Sequence, residues 1–239
     1  MDYMDLLSSL GVASAHPGGF KASMKLIKQI NQPGDLRILE VGCGTGKSSC
    51  YLAKKGLRVT ALDQQPIMLD KARKRAEKEG IVGIEWVHGD VNSLPFKDES
   101  FDVVFAESVT IFTDIPTSLK EYHRVLKPKG RLLDREMVLF AEMPESIYKE
   151  ITRYFKVDKI LSMDEWLTIL RETGFQCGPP VLDEFWSHEH STDQKEIQEL
   201  DVNALMNPEV AQGIMKYAQL MLAQESFFRA CDFIAYKSS

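Results

Sequence analysis

Short apolar runs and longer helical patterns alternate through most of the chain. The runs at 37–41, 58–62 and 101–106 are apolar except near their ends, which is typical of strands covered on both faces of a sheet. Between them, 66–79 and 118–125 repeat apolar residues at helical spacing. Strands that alternate with helices in this way predict an α/β fold, with a parallel sheet and helices on both faces.

The N-terminal part and one later stretch depart from this alternation. Apolar positions within 4–10 and 24–30 predict two helices, and His16-Pro17-Gly18-Gly19 between them is a turn or loop signal. The stretch 187–226 is polar but repeats apolar residues at roughly helical spacing. We interpret it as a lid over the substrate, with a pair of surface helices as the alternative. The expected division is a helical cap over 1–35, a core over 36–186 and 227–239, and a helical lid over 187–226.

A glycine-rich turn follows the first predicted strand, in the run Glu40-Val41-Gly42-Cys43-Gly44-Thr45-Gly46. Glycines let a ligand approach the backbone closely, and the helix that follows offers free N–H groups at its N-terminus. A dinucleotide fingerprint requires G-x-G-x-x-G, and a phosphate-binding P-loop requires G-x-x-x-x-G-K-[ST]. Here the third glycine comes one residue early, and Val41 occupies the position of the P-loop's first glycine. The spacing therefore matches neither phosphate-binding motif.

Polar residues also stand at the ends of the later strands. Asp63 ends the second strand, where a carboxylate can accept from two ribose hydroxyls; a helix N-cap is the alternative. Gly89-Asp90-Val91 follows the third strand, and an Asx turn is the alternative for Asp90. Glu107 ends the fourth strand, and Leu126-Lys127-Pro128-Lys129-Gly130 precedes the fifth.

In these residues the chain resembles the class I S-adenosylmethionine (SAM)-dependent methyltransferases of the small-molecule, UbiE-like type. The run E-x-G-x-G-x-G is similar to the family's first motif, and Gly-Asp-Val-x-x-Leu-Pro-Phe is similar to its adenine-site segment. The run L-K-P-x-G is similar to the segment before its fifth strand. The resemblance extends from residue 36 to about 137. It implies a Rossmann-like sheet of seven mostly parallel strands and an enzyme of class EC 2.1.1.-.

The resemblance also implies roles for individual residues. Asp63 would bind the ribose of SAM, Asp90 the adenine amino group, and the Val91 N–H a ring nitrogen. Met68 is a candidate for packing on the adenine, with an ordinary core role as the alternative. The residues predicted to bind the cofactor are Glu40, Gly42, Cys43, Gly44, Gly46, Asp63, Gln64, Met68, Asp90, Val91 and Glu107. The product would be S-adenosylhomocysteine.

Two residues are candidates for catalysis. Methyl transfer requires the acceptor nucleophile in line with the donor sulfonium, and correct placement supplies most of the acceleration. A base near the donor would help where the acceptor is an amine or a hydroxyl. His16 is one candidate, because the family's N-terminal helix often lies across the cofactor mouth; an exposed histidine at a helix break is the alternative. Glu107 is the other, with pairing to a substrate ammonium and orientation of the cofactor as alternatives.

Composition restricts the partners further. The net charge of −6 and the pI of about 5.5 argue against nucleic acid as a partner, so we expect a small-molecule acceptor and a monomer or homodimer. A tRNA or protein methyltransferase and a non-catalytic SAM-binding protein are the alternatives. The four cysteines include no C-x-x-C pair, which favours reduced thiols in the cytoplasm over a zinc site. His188-Glu189-His190 lacks a third ligand at a persuasive spacing, so no metal is expected. No apolar run reaches the roughly 18–20 residues of a membrane span.

Overall fold

The computed structural model describes residues 3–12, 16–30, 35–184, 203–222 and 225–238. Within these ranges the strands are β1 Arg37–Val41, β2 Arg58–Asp63, β3 Glu85–His88, β4 Phe101–Glu107, β5 Leu126–Leu139, β6 Phe175–Cys177, β7 Val181–Glu184 and β8 Phe228–Lys237. The helices are α1 Tyr3–Leu10, α2 Gly19–Ile27, α3 Lys47–Lys54, α4 Pro66–Lys78, α5 Ile115–Val125, α6 Glu145–Phe155, α7 Met163–Glu172 and α8 Pro208–Leu222. Short 3-10 turns occupy Thr110–Phe112, Ala204–Met206 and Glu225–Phe227.

The sheet has the order β3-β2-β1-β4-β5-β8-β6, and β7 also pairs with β8. The pairs from β3 to β5 are parallel, whereas β8 runs antiparallel to β5, β6 and β7. The predicted Rossmann-like fold is therefore confirmed. Two details differ: β7 adds a short strand, and β5 begins at Leu126 rather than Arg131 because Leu126 already pairs with Phe101.

Strand order reverses next to β1, and this reversal locates the crevice for a ligand. The chain moves from β1 outward to β2 and β3, and then returns to place β4 on the other side of β1. Connections therefore leave β1 and β4 in opposite directions at their carboxyl ends. In open α/β sheets, ligands bind in the crevice that forms at such a switch point.

Apolar side chains cover both faces of the sheet. One cluster includes Leu39, Val104, Tyr122 and Trp166, and the other includes Ile38, Leu52 and Phe105. Alternate residues of β1 and β4 thus enter opposite layers, as expected of strands buried on both sides. Helix α7 begins with a capping box, since the side chains of Ser162 and Glu165 each bond the other's backbone N–H.

Helix α1 packs over the mouth of the crevice and against α8. Leu6 and Leu10 of α1 form a small apolar cluster with Val210 of α8. The Tyr3 ring stacks on Phe112 and Tyr217, with centroids 5.9 and 5.6 Å away.

The division into cap, core and lid stays a prediction, and residues 187–202 and 223–224 of the proposed lid lie outside the described residues. No helix in the described part of the chain is long and apolar enough to cross a membrane.

Candidate active site

A pocket opens at the carboxyl ends of β1, β2 and β4, with the glycine turn as one wall. Its lining includes both predicted catalytic residues and all but one of the predicted cofactor residues: His16, Glu40, Gly42, Cys43, Gly44, Asp63, Gln64, Met68, Asp90, Val91 and Glu107. Gly46 is the exception. Residues distant in the sequence are thus brought to one cavity by the sheet topology.

The glycines of the turn meet different surroundings. A Cβ at Gly42 would lie 2.3 Å from Val109 Cγ2, and one at Gly46 would lie 2.8 Å from both Ala72 and Trp86. At Gly42 and Gly46, the absence of a side chain therefore lets neighbouring side chains pack directly against the backbone of the turn. A Cβ at Gly44 would have no protein atom within 4 Å, so this part of the backbone faces open space in the pocket.

Asp63 is 7% exposed and accepts two backbone N–H groups. Its Oδ2 accepts from Gly44 N and its Oδ1 from Gln65 N, both at 2.8 Å. Burial raises the pKa of Asp63, while these N–H donors lower it. The N-cap of α4 is Gln65, so Asp63 does not occupy the capping position. Each carboxylate oxygen has room for a second donor, which suits a pair of ribose hydroxyls.

Asp90 lies at the next strand end and is exposed. Its Oδ1 accepts from the backbone N and the side-chain Nδ2 of Asn92, at 2.9 and 3.1 Å. This is the Asx turn that was the alternative for Asp90. The turn uses Oδ1, so a ligand role at Oδ2 is compatible with it, and Val91 beside it is buried against the pocket.

The side chains of Glu107 and His16 lie together in a cluster that is almost completely buried. Glu107 Oε2 accepts from Ser23 Oγ at 3.0 Å and from Ser48 Oγ at 3.1 Å. His16 Nε2 lies 3.5 Å from Glu107 Oε1 and 3.0 Å from Ser23 Oγ. The two side chains are only 6% and 8% exposed. Sequence patterns had indicated His16 and Glu107 separately. They did not indicate Ser23 or Ser48, since single serines on helices match no motif.

Glu40 lies beneath the turn and is buried. Ser49 Oγ donates to its Oε2. Burial raises the pKa of Glu40 to about 8, and the nearby carboxylates of Glu107 and Asp63 contribute. Glu40 is therefore mainly neutral at pH 7 in the protein alone, and a cation placed in the pocket would favour its ionised form.

One part of the pocket lining is mostly apolar. It is formed by α1 and by the segment that follows β4, through Tyr3, Met4, Leu7, Val12, Ser108, Val109, Phe112 and Thr113. Ser108 has a φ of 52°, and its buried Oγ has no hydrogen-bond partner among the described residues. The sequence indicated the apolar face of α1, and the family resemblance indicated that an N-terminal helix lies across the cofactor mouth.

Two buried carboxyl groups of β5 hold the segment after β4 through hydrogen bonds. Glu136 Oε1 accepts from Val109 N at 3.0 Å and from Thr110 N at 2.8 Å, and Asp134 Oδ2 accepts from Thr110 Oγ1 at 2.9 Å. Burial raises the pKa of both groups, and their mutual interaction raises that of Glu136 further. The same interaction with Glu136 lowers the pKa of Asp134.

The described residues contain no group of three or more histidines, cysteines, aspartates or glutamates able to hold a metal ion. Residues 188–190 lie outside the described ranges.

Comparison with known proteins identifies the family. Residues 39–134 match the family model described as "Methyltransferase domain". The chain is 36% identical over 237 residues to the uncharacterized methyltransferase YodH of Bacillus subtilis (strain 168). The alignment covers 98% of this chain and 99% of YodH. The chain belongs to the class I SAM-dependent methyltransferases. This methyltransferase is also 38% identical over 131 residues to the demethylmenaquinone methyltransferase of Chlorobaculum tepidum, across 54% of this chain and 51% of the relative.

Solved structures agree with this methyltransferase in fold. The [4+2]-cyclase SpnF has a TM-score of 0.78 at 20% identity, covering 98% of this chain and 92% of SpnF. Phosphoethanolamine N-methyltransferase 2 of Haemonchus contortus, in complex with SAM, has a TM-score of 0.77 at 21% identity, covering 99% of this chain and 56% of that one. At such identities the agreement concerns the fold alone.

Proposed function

We propose that this methyltransferase transfers the methyl group of SAM to a small-molecule acceptor. The observation that supports it most directly is the pocket itself, in which an acidic end around Asp63 adjoins an apolar wall formed by α1. The partial similarity to a demethylmenaquinone methyltransferase adds support, because that name describes action on a small molecule.

The residues of the pocket fit SAM. The open backbone at Gly44 gives the ligand access to the turn. Glu107 Oε1 and Ser108 Oγ are buried polar atoms without a hydrogen-bond partner among the described residues, and a ligand with polar groups would supply partners. The carboxylates around the cavity suit a ligand that has a sulfonium and an ammonium group.

In the proposed mechanism the chain mainly positions the two reactants. When bound, SAM supplies a methyl group on a cationic sulfonium, and the electrons of the broken bond stay on sulfur. Asp63 binds the ribose, and Asp90 with the Val91 N–H binds the adenine. The pair of Glu107 and His16 receives the proton that an O–H or N–H acceptor loses. Exclusion of water by α1 keeps this pair effective, since charge interactions strengthen as water leaves.

The charges of the pocket restrict the acceptor. Asp63, Asp90 and Glu107 line the cavity, whereas Lys47 is the one lysine or arginine in its described lining. An acceptor with a phosphate or carboxylate would meet these acids without a matching cluster of cations. We therefore propose a neutral or cationic acceptor with an apolar body.

The cofactor is tested first, by calorimetric titration of ligand-free protein with SAM and S-adenosylhomocysteine, and with NAD and ATP as controls. We expect micromolar binding of the two SAM-type ligands alone. Preferential binding of NAD or ATP would contradict the assignment of the glycine turn.

Catalysis is then tested by transfer of a labelled methyl group from SAM to a panel of neutral, cationic and anionic small molecules. Removing a general base costs roughly 10²–10⁴-fold, so His16→Gln should lower kcat by at least about a hundredfold and leave SAM affinity within about threefold. His123→Gln is the matched control, because His123 lies on α5 outside the pocket lining. Equal kcat values for the two variants would refute a catalytic role for His16.

A further inference from the structure

Strand β5 has three consecutive ionisable residues in the interior of the protein. Asp134, Arg135 and Glu136 are each at most 1% exposed. Since successive side chains of a strand point to opposite faces, Arg135 lies on the other face from the two carboxyl groups that hold the segment after β4. A buried charge is costly unless it is paired and hydrogen-bonded, so the partners of Arg135 are informative.

Arg135 bonds in three directions. Nη1 pairs with Asp232 of β8, and Nη2 donates to Asp183 Oδ2 of β7 at 3.2 Å. Nε donates to the backbone oxygen of Pro17 at 2.9 Å. The two carboxylates therefore balance the charge and fix the plane of the guanidinium, while the third bond reaches the residue that follows His16.

The close approach of this segment to Arg135 depends on Gly18. Gly18 has a φ of 83°, and a Cβ there would lie 3.0 Å from Arg135 Nη2 and 2.9 Å from Ala22 Cβ. Any other residue would push the segment away or strain it. The arrangement of Gly18 and Arg135 thus draws the backbone at 16–18 toward β5, where His16 Nε2 reaches within 3.5 Å of Glu107 Oε1.

We propose that Arg135 is a positioning residue, which fixes the Pro17 carbonyl and thereby holds His16 against Glu107. The catalytic consequence rests on the proposed function. Asp232 and Asp183 are sufficient to balance the charge of Arg135. The bond to the Pro17 carbonyl is therefore not needed for charge balance, which indicates a separate role for it. A planar guanidinium suits this task, because its N–H groups diverge in a fixed fork that an ammonium lacks.

The test is the double variant Arg135→Met with Asp232→Asn, which removes the clamp without leaving a buried charge unpaired. We expect kcat to fall at least about tenfold, with SAM affinity within about threefold, because the Asp63 side of the pocket is untouched. The rate at which diethyl pyrocarbonate modifies His16, followed by mass spectrometry, should rise at least about fivefold. Modification of His88 and His123 should not change, and Arg58→Met, at a 68% exposed arginine, is the matched control.

Gly18→Ala provides an independent variant that alters no charge and should give the same pattern. It decides the question if the double variant does not fold. Unchanged modification of His16 and unchanged kcat in the folded variants would overturn the proposal. The modification experiment needs no methyl acceptor, so it still tests the clamp if the proposed methyl transfer fails.

Discussion

Asp63 is tied to the protein backbone on both sides of its proposed ligand. The Gly44 N–H binds one carboxylate oxygen and the Gln65 N–H binds the other. The same side chain thus fixes the glycine turn relative to the start of α4. At the scale of single residues, this carboxylate shapes the turn, and we propose that it also presents a pair of acceptor oxygens to the ribose.

Asp63→Ala should weaken SAM binding by well over tenfold. Hydrogen bonds to a charged group are worth roughly 1.5–3 kcal/mol each, and two to the ribose are at stake. Calorimetric titration measures the change, and Asp70→Ala on the exposed side of α4 is the matched control. SAM affinity equal to that of the control would show that the ribose lies elsewhere.

At the scale of an element, the glycine turn allows an effect on ligand binding to be measured separately from an effect on stability. Gly46 packs against Ala72 and Trp86, whereas Gly44 faces the open pocket. Both have positive φ, so alanine strains the backbone in either case. Only the contacts differ, and the difference can be measured.

Gly44→Ala should mainly weaken SAM binding, because its Cβ enters the space proposed for the ligand. Gly46→Ala should mainly lower the melting temperature, because its Cβ would overlap packed side chains. Thermal unfolding without ligand and titration with SAM measure the two effects. The reverse pattern would place the ligand on the other side of the turn.

The two buried carboxyl groups of β5 predict a pH dependence of stability. The folded state raises the pKa of Glu136 above its unfolded value of roughly 4.3. Above that pH the unfolded chain binds fewer protons than the folded one. The stability that Glu136 contributes is therefore lost as pH rises from about 4 toward the folded pKa.

Glu136→Gln mimics the protonated side chain and should reduce this loss. Its melting temperature relative to the native protein should therefore rise as the pH increases above about 5. Glu142→Gln, at an exposed position, is the matched control. Parallel melting curves for the Glu136 variant and the native protein would mean that Glu136 is ionised in the folded state.

Local sequence patterns were sufficient to predict an element where its conformation depends mainly on its own residues. The strand, glycine turn and helix at 37–54 were predicted because apolar runs and glycine spacing act within a few residues. The extension of β5 to Leu126 was missed, since pairing with Phe101 is set by the neighbouring strand. The meeting of His16, Ser23 and Glu107 depends on distant segments, and Arg135 in the sequence resembles an ordinary surface arginine.

At the scale of the whole molecule, the acidic charge argues against a polynucleotide acceptor. The chain has 35 acidic and 29 Lys and Arg residues, and acids line the pocket as well. Nucleic-acid binding depends mainly on cations that neutralise phosphates. The alternative of a tRNA acceptor therefore predicts measurable binding to tRNA, whereas our proposal predicts none.

We expect no change in the electrophoretic mobility of bulk tRNA when the protein is added, even at a low salt concentration of about 50 mM. A basic tRNA-binding protein serves as the positive control. A mobility shift that disappears with added salt would support a tRNA acceptor and count against the small-molecule proposal.

Strand β8 has a consequence for how the chain is made. It lies between β5 and β6 in the sheet, and Asp232 reaches Arg135 across 97 positions of sequence. While the ribosome is still translating the region before residue 228, the nascent chain holds a bare β5 edge and an arginine without its main partner. The segment around His16 is synthesised well before β8, and its clamp is completed only when β8 inserts. Competence to bind and turn over ligand should therefore arise only after β8 has been synthesised, and before that the exposed edge is prone to chaperone binding or aggregation.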